Sequence, residues 1–237
     1  MISLRFMLQF FNWEKERTET SKMIGKLFFL IFMCGIGLSS QDANSYMDAV
    51  IKDNLHTAVF KAGLDPASIS DFETKFGVQD IYGNVGEAIF SRGNLTRLDR
   101  ARRRGDCTGP TKSGQTMLIN CTIGLTQLIT EYKVIIRNGS HIYLPRNMGH
   151  VSETVVSLEI AGLHPLYRGS LKKLKVDKVG QITPTFSGLP APLNKYLKVL
   201  QDAYRTHVSA QIHNILQNNY ALALDAAFRN VSMSAHQ

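Results

Sequence analysis

One apolar stripe, running from just past Pro190 toward Phe228, constrains this chain more than any other stretch. Leu193, Tyr196, Leu197, Leu200, Ala203, Tyr204, Val208, Ile212, Ile215, Leu216, Leu222 and Ala226 recur mostly at three- and four-residue steps. That spacing makes a helix with one buried face. Pro190 and Pro192 suit its start, where a missing N–H costs nothing. Unbroken from Leu193 to Phe228, the helix would be about 54 Å long, well beyond the usual three or four turns. The Asn218-Asn219 pair is the place where it would loosen. A coiled coil is the rival reading, although Ala and Tyr in the stripe fit poorly with regular Leu and Ile. A helix this long needs a partner surface of similar length, and the rest of the chain must supply it.

Upstream, Met47, Val50, Ile51, Leu55, Ala58, Val59 and Ala62 give a second, shorter amphipathic helix between Tyr46 and Ala62. Gly63 follows as its C-cap. Asp65 and Pro66 read as N-cap and first residue of another short helix, which would bury Ile69, Phe72 and Phe76. The period then changes to two. Met117, Ile119, Cys121, Ile123 and Leu125 alternate with mostly polar neighbours, as a half-buried strand requires. Beyond Gln127 the apolar phase shifts to Leu128, Tyr132, Val134 and Ile136, which predicts a bulge or bend in a long strand. Val85–Cys107 is strand-like, with a turn at Gly109–Gly114 (GPTKSG) leading back. Further strands are expected at Val155–Leu163 and Ser170–Gln181, and Asn138-Gly139 is a turn dipeptide. The expectation is an α+β fold: a long curved antiparallel sheet wrapped around the C-terminal helix, with a shorter N-terminal helix.

The N-terminus carries an address. Leu27–Leu38 (LFFLIFMCGIGL) is apolar, is preceded by Lys26, and leads into Ser39 and Ser40. This is the layout of a secretory signal. As a helix it would rise about 18 Å against a bilayer core of about 30 Å, so an uncleaved anchor is the weaker alternative. The expected division is an upstream extension over residues 1–22, a signal over 23–39 and one secreted domain over 40–237. Cys34 falls in the signal, which leaves Cys107 and Cys121 to pair in an oxidising compartment. The two lie symmetrically about Gly114, so they would face each other across a hairpin. Asn94, Asn120, Asn138 and Asn230 stand in N-x-S/T acceptors, and Asn94 and Asn138 are the preferred glycan carriers.

The first 40 residues hold five Lys or Arg and three acidic residues. That leaves 22 basic against 16 acidic residues, a net charge of +6, for the rest. The excess is clustered, with six arginines from Arg92 to Arg104 and four lysines from Lys172 to Lys178. A basic secreted protein meets anionic lipid and acidic glycan before it meets nucleic acid. Arg97, Arg100, Arg102, Arg103 and Arg104 are the candidates for such a surface.

Two segments carry a family likeness: GEAIFSRGNLTRLDRARRRGDC (residues 86–107) and LNKYLKVLQDAYRTHVSAQIHNIL (residues 193–216). With the pattern over Tyr46–Val231, the chain resembles the group 7 mite allergens and their arthropod relatives. These share the super-roll fold of the bactericidal permeability-increasing and juvenile-hormone-binding lipid carriers. The resemblance implies a sheet wrapped on the long helix, an apolar groove between them and lipid-like cargo. Phe72, Phe76, Leu125, Tyr196, Leu200, Tyr204, Val208 and Ile212 are the groove candidates.

No motif for catalysis is present. The sequence has no G-x-S-x-G, no phosphate-binding glycine loop and no HExxH. His207 and His213 are six apart and fall on different helix faces. The chain is therefore expected to be a non-enzyme without metal or cofactor. Its expected role is to bind a lipid or other small apolar ligand outside the cell. The alternative is recognition of lipopolysaccharide, phospholipid or sulphated glycan through the arginines.

Overall fold

The computed structural model describes residues 39–78, 85–113, 116–163 and 168–231. The apolar run Leu27–Leu38 and, but for Ser39, the proposed signal lie outside the described residues. Helix α1 (Ser39–Ala49) passes through a π-helical stretch (Val50–Leu55) into α2 (His56–Lys61). Met47, Val50, Leu55 and Val59 are buried on its inner face. Gly63 closes the helix with φ at +65°. Its N–H donates to Phe60 O and the Leu64 N–H donates to Val59 O, the paired bonds of a Schellman cap.

The helix expected after Pro66 is not there. The Asp65–Pro66 bond is cis, and two strands follow, β1 (Ala67–Ile69) and β2 (Phe72–Phe76). The steps between Ile69, Phe72 and Phe76 suit a helix, but they equally suit two short strands with a turn between them. Pairing decides the matter. Both strands lie antiparallel on β3 (Gly86–Thr96), with Ile69 opposite Gly93 and Phe72 opposite Phe90. Asp65 caps no helix; its carboxylate accepts from the Arg97 N–H at 3.0 Å, and Asp71 accepts from the Arg92 N–H at 2.8 Å.

The remaining strands are β4 (Ala101–Arg103), β5 (Thr108–Ser113), β6 (Thr116–Leu125), β7 (Leu128–Asn138), β8 (His141–Tyr143), β9 (Arg146–Val151), β10 (Thr154–Leu163), β11 (Arg168–Lys178) and β12 (Ile182–Ser187). They form two antiparallel sheets. Sheet A runs β1-β3-β7-β9-β12, with β2 also on β3 and β8 also on β7. Sheet B runs β11-β10-β6-β4, with β5 also on β6. Most of the GPTKSG segment, expected as a turn, is strand β5 paired with β6. The backbone bonds that β6 offers on that side recruit it.

Four chain passages connect the sheets in the same order: β3 to β4, β6 to β7, β9 to β10 and β11 to β12. The chain breaks at residues 97–100, 126–127, 152–153 and 179–181. These breaks are tied to one another. The Thr126 N–H donates to Arg100 O, the Ser152 N–H to Gln181 O at 2.9 Å, and the Gly180 N–H to Thr154 Oγ1 at 3.0 Å. Gln127 takes φ +60° and Arg97 φ +71° to make the step. The phase shift at Gln127 is thus the passage of the chain from sheet B into sheet A, rather than a bulge inside one strand.

The C-terminal helix is continuous over residues 191–228. A 3-10 start (Ala191–Tyr196) leads into α3 (Leu197–Ile215), a π-helical stretch (Leu216–Tyr220) and α4 (Ala221–Phe228). Helix α3 packs on β2 and β12 of sheet A, and α4 packs on β11 of sheet B and on the N-terminal helix. Asp225 fastens α4 to the edge of sheet B: it accepts from the Leu171 N–H at 2.8 Å and from Ser170 Oγ at 3.1 Å. Tyr46 stacks on Phe228 and donates to its carbonyl at 3.3 Å.

The stripe departs from expectation at its end. Leu222 is 72% exposed, and Ala226 is exposed too, while Ala223, Leu224, Ala227 and Phe228 are buried. An ideal helix repeats its face about every 18 residues, or five turns, which would return the Tyr204 face at Leu222. The π-helical stretch at Asn218-Asn219 adds one residue to that interval, so the face returns at Ala223. Among the described residues, no helix is long and apolar enough to cross a membrane.

Candidate functional site

Helix α3 and the edge strand β2 do not close on one another along their whole length. Between them lies an open groove of about 750 Å³, lined by Phe72, Glu73, Thr74, Val199, Asp202, Ala203, Thr206, His207 and Ala210. Sequence explains the gap. Val199, Ala203, Thr206 and Ala210 lie at steps of four, three and four on α3, along the edge of the stripe to which Ala203 belongs, and three of the four are small residues. Small side chains there leave room where larger ones would meet β2.

The floor is Phe72, which is only partly buried. Its ring stacks on His207 at 4.2 Å and on Phe90 at 4.2 Å, and meets Tyr132 edge-on at 5.4 Å. Beneath it Phe90, Tyr132, Phe186 and Tyr204 form one aromatic cluster, their rings 5.7 to 6.4 Å apart where they meet. Edge-to-face contacts of this kind add to what burial alone provides. His207 is held from outside, with Nε2 3.0 Å from Ser70 O and 3.3 Å from Ser70 Oγ. The Tyr204 hydroxyl lies 2.7 Å from Thr130 Oγ1. Burial pushes its pKa up to about 12, against the lowering effect of the Thr130 hydrogen bond.

The rim carries the charge. Glu73 and Asp202 both face the groove, and Asp202 already binds Arg205 at 2.7 Å. An anionic head group would meet two carboxylates there. A neutral ligand, or one ending in a hydroxyl, would carry no charge for them to repel.

Of the eight groove candidates, only Phe72 lines this opening. Leu125, Leu200, Tyr204, Val208 and Ile212 have no exposed surface, and Phe76 has 3%. Tyr196 is partly buried and packs its ring 4.9 Å from Phe76. Leu200, Tyr204, Val208 and Ile212 are packing residues on the inner face of α3, Phe76 packs from β2 of sheet A and Leu125 from β6 of sheet B. Val199, Ala203, Thr206, His207 and Ala210 were missed, although their small-residue spacing was readable.

The five arginines are not one free surface. Arg103 makes a two-pronged pair with Asp48 of α1, both contacts at 2.9 Å, and donates to Gly105 O at 2.6 Å. Arg100 donates to Gln127 at 3.1 Å, and Arg104 lies 3.8 Å from Glu153. The Arg97 backbone is held by Asp65. Arg102 is exposed and, among the described residues, has no carboxylate at ion-pair distance. Cys107 and Cys121 form a disulfide with Cα atoms 4.4 Å apart, on the β5–β6 side of sheet B. Asn120 and Asn230 are exposed, while Asn94 and Asn138 are partly buried.

Two antiparallel sheets and a long C-terminal helix that packs through α3 on sheet A and through α4 on sheet B make up the described architecture. No family model matches the chain, and no curated protein matches it. The group 7 allergen likeness therefore remains one of sequence pattern. Among solved structures, lipopolysaccharide binding protein is similar with a TM-score of 0.42 and 15% identity, over 76% of this chain and 39% of that one. This chain thus spans about two fifths of that protein. Takeout 1 of Epiphyas postvittana is similar with a TM-score of 0.37 and 12% identity, over 77% of this chain and 88% of that one.

Proposed function

We propose that this protein binds a small, elongated apolar ligand, neutral or hydroxyl-bearing, in the groove between α3 and β2. The observation that carries the proposal is the composition of that groove. Its floor is the Phe72 ring, its helix wall is Val199, Ala203 and Ala210, and its rim holds two carboxylates. Burying apolar surface contributes about 25 cal/mol per Å² before association costs. A chain of ten or more carbons laid on this floor has enough surface to bind. Glu73 and Asp202 select against a ligand carboxylate. Secretion belongs to the same proposal, supported by the Leu27–Leu38 run and the paired Cys107 and Cys121.

The test is a fluorescence titration with a long-chain alcohol probe and its carboxylic acid counterpart. Ala210 is exposed on α3, so Ala210→Trp fills the groove without touching the core. The alcohol should bind saturably, more tightly than the acid, with little change in high salt, and Ala210→Trp should weaken it at least tenfold. Equal binding by the variant would remove the groove from consideration.

A further inference from the structure

The outer face of sheet A carries an arrangement that neither the groove nor the fold uses. Lys133 on β7 stands directly opposite Arg146 on β9. Like charges placed opposite each other in a sheet are destabilising. Among the described residues, neither has a carboxylate at ion-pair distance, and the same holds for Arg92 across the depression they line. The depression measures about 960 Å³, and Glu131 is the one acidic residue on its wall.

Beside the cations the same face is apolar. Ile142 is 65% exposed, Leu144 73% and Met148 37%. Met148 is two residues from Arg146 on the outward side of β9, Ile142 stands opposite the exposed Arg137 of β7, and Leu144, between β8 and β9, lines the depression with Arg146. Ile135, opposite Ile89 on the neighbouring strand, continues the apolar row behind Leu144. Exposed large apolar side chains grouped with unpaired cations are costly in water. Both costs fall when the face meets a surface that is anionic outside and hydrocarbon beneath.

We infer that this face docks on an anionic phospholipid bilayer, with Lys133, Arg146 and Arg92 meeting lipid phosphates and Ile142, Leu144 and Met148 entering the interface. A soluble phosphate would satisfy the cations but not the apolar row, and this is why the bilayer is the occupant. The surface lies on the opposite side of sheet A from the aromatic cluster, so docking leaves the α3–β2 groove open.

The test is co-sedimentation with phosphatidylcholine vesicles, with and without phosphatidylglycerol. The protein used carries Asn94→Gln, because Asn94 lines the depression and a glycan there would stand in it. Binding should require phosphatidylglycerol, weaken as salt rises, and survive replacement of chloride by inorganic phosphate at equal ionic strength. Each cation near such a surface is worth about fivefold in partition, so Lys133→Gln with Arg146→Gln should cost about 25-fold. Ile142→Ser with Leu144→Ser should also weaken binding, while titration with the neutral probe stays unchanged in both variants. Pelleting with pure phosphatidylcholine to the same extent, displacement by inorganic phosphate, or full binding by the Gln double variant would each overturn the inference. So would an equal loss on Arg102→Gln, which would return the activity to the arginine strand.

Discussion

The hydroxyls of Tyr204 on α3 and Thr130 on β7 meet at 2.7 Å, with neither residue exposed. Thr130 Oγ1 also lies 3.3 Å from Gly149 O on β9, and Tyr204 donates toward Thr130 O at 3.3 Å. One buried polar node thus joins the helix to two adjacent strands of sheet A. Gly149 makes room for it: a Cβ there would fall 2.5 Å from Thr130 Oγ1 and 2.7 Å from the Tyr204 hydroxyl.

Two substitutions follow from that node. Tyr204→Phe keeps the ring in the cluster and leaves Thr130 a carbonyl to donate to, so it should cost about 1 kcal/mol. Gly149→Ala forces the node apart and should cost about 1–3 kcal/mol. Urea denaturation at neutral pH measures both. A larger loss for Tyr204→Phe than for Gly149→Ala would contradict this ordering.

Burial raises the pKa of Tyr204 to about 12 and pushes Tyr46, Tyr132 and Tyr220 higher still. The folded state therefore holds these protons more tightly than the unfolded chain, whose tyrosines titrate near 10. The stability they contribute is complete below pH 10 and is lost as pH rises toward and beyond 12. Phenolate absorbance should lag during alkaline titration and then rise together with loss of structure. A smooth titration of all tyrosines near pH 10 in a folded protein would contradict the packing described.

The Cys107–Cys121 bridge closes a 15-residue loop, worth about 3 kcal/mol in the chain-entropy account. Replacing both cysteines with alanine should lower stability by about that amount. Neutral-probe binding by the fraction that remains folded should be untouched, since the bridge is in sheet B and the groove borders sheet A.

The π-helical stretch gives a less expected outcome. Deleting Asn218, an exposed residue whose side chain donates to Asn214, would return the helix to a regular period. Tyr204 and the residue now numbered Ala223 would stay on one face. That deletion should lower Tm far less than deletion of Thr206, which rotates the rest of the helix away from its sheet. Equal losses would show that the extra residue is needed for the geometry itself.

Local pattern was enough for much of this fold. The alternation of Ile119, Cys121, Ile123 and Leu125, the helical spacing from Met47 to Val59, the Gly63 cap and the facing cysteines all depend on neighbours close in sequence. What pattern missed depends on distant partners. Ile69, Phe72 and Phe76 fit two periods, and only pairing with β3 selects the strand. The shift at Gln127 is visible in sequence, but its meaning comes from three parallel breaks elsewhere. Leu222 was assigned inward because a single inserted residue in a helix leaves the apolar count unchanged. The opposition of Lys133 and Arg146 requires the register of β7 on β9. An opening does lie between helix and sheet, but apart from Phe72 it is lined by residues outside the expected groove set, several of them small. Large apolar side chains drew attention to the packed interior instead.

The central claim is that a neutral apolar ligand lies between α3 and β2, and photoaffinity labelling tests it most directly. A long-chain alcohol carrying a terminal diazirine would be bound to the purified protein, irradiated and mapped by peptide mass spectrometry. Label should concentrate in the peptides containing Phe72–Thr74 and Val199–Ala210, and an excess of unlabelled alcohol should remove it. Label spread over the outer face of sheet A, or confined to peptides away from β2 and α3, would contradict the account.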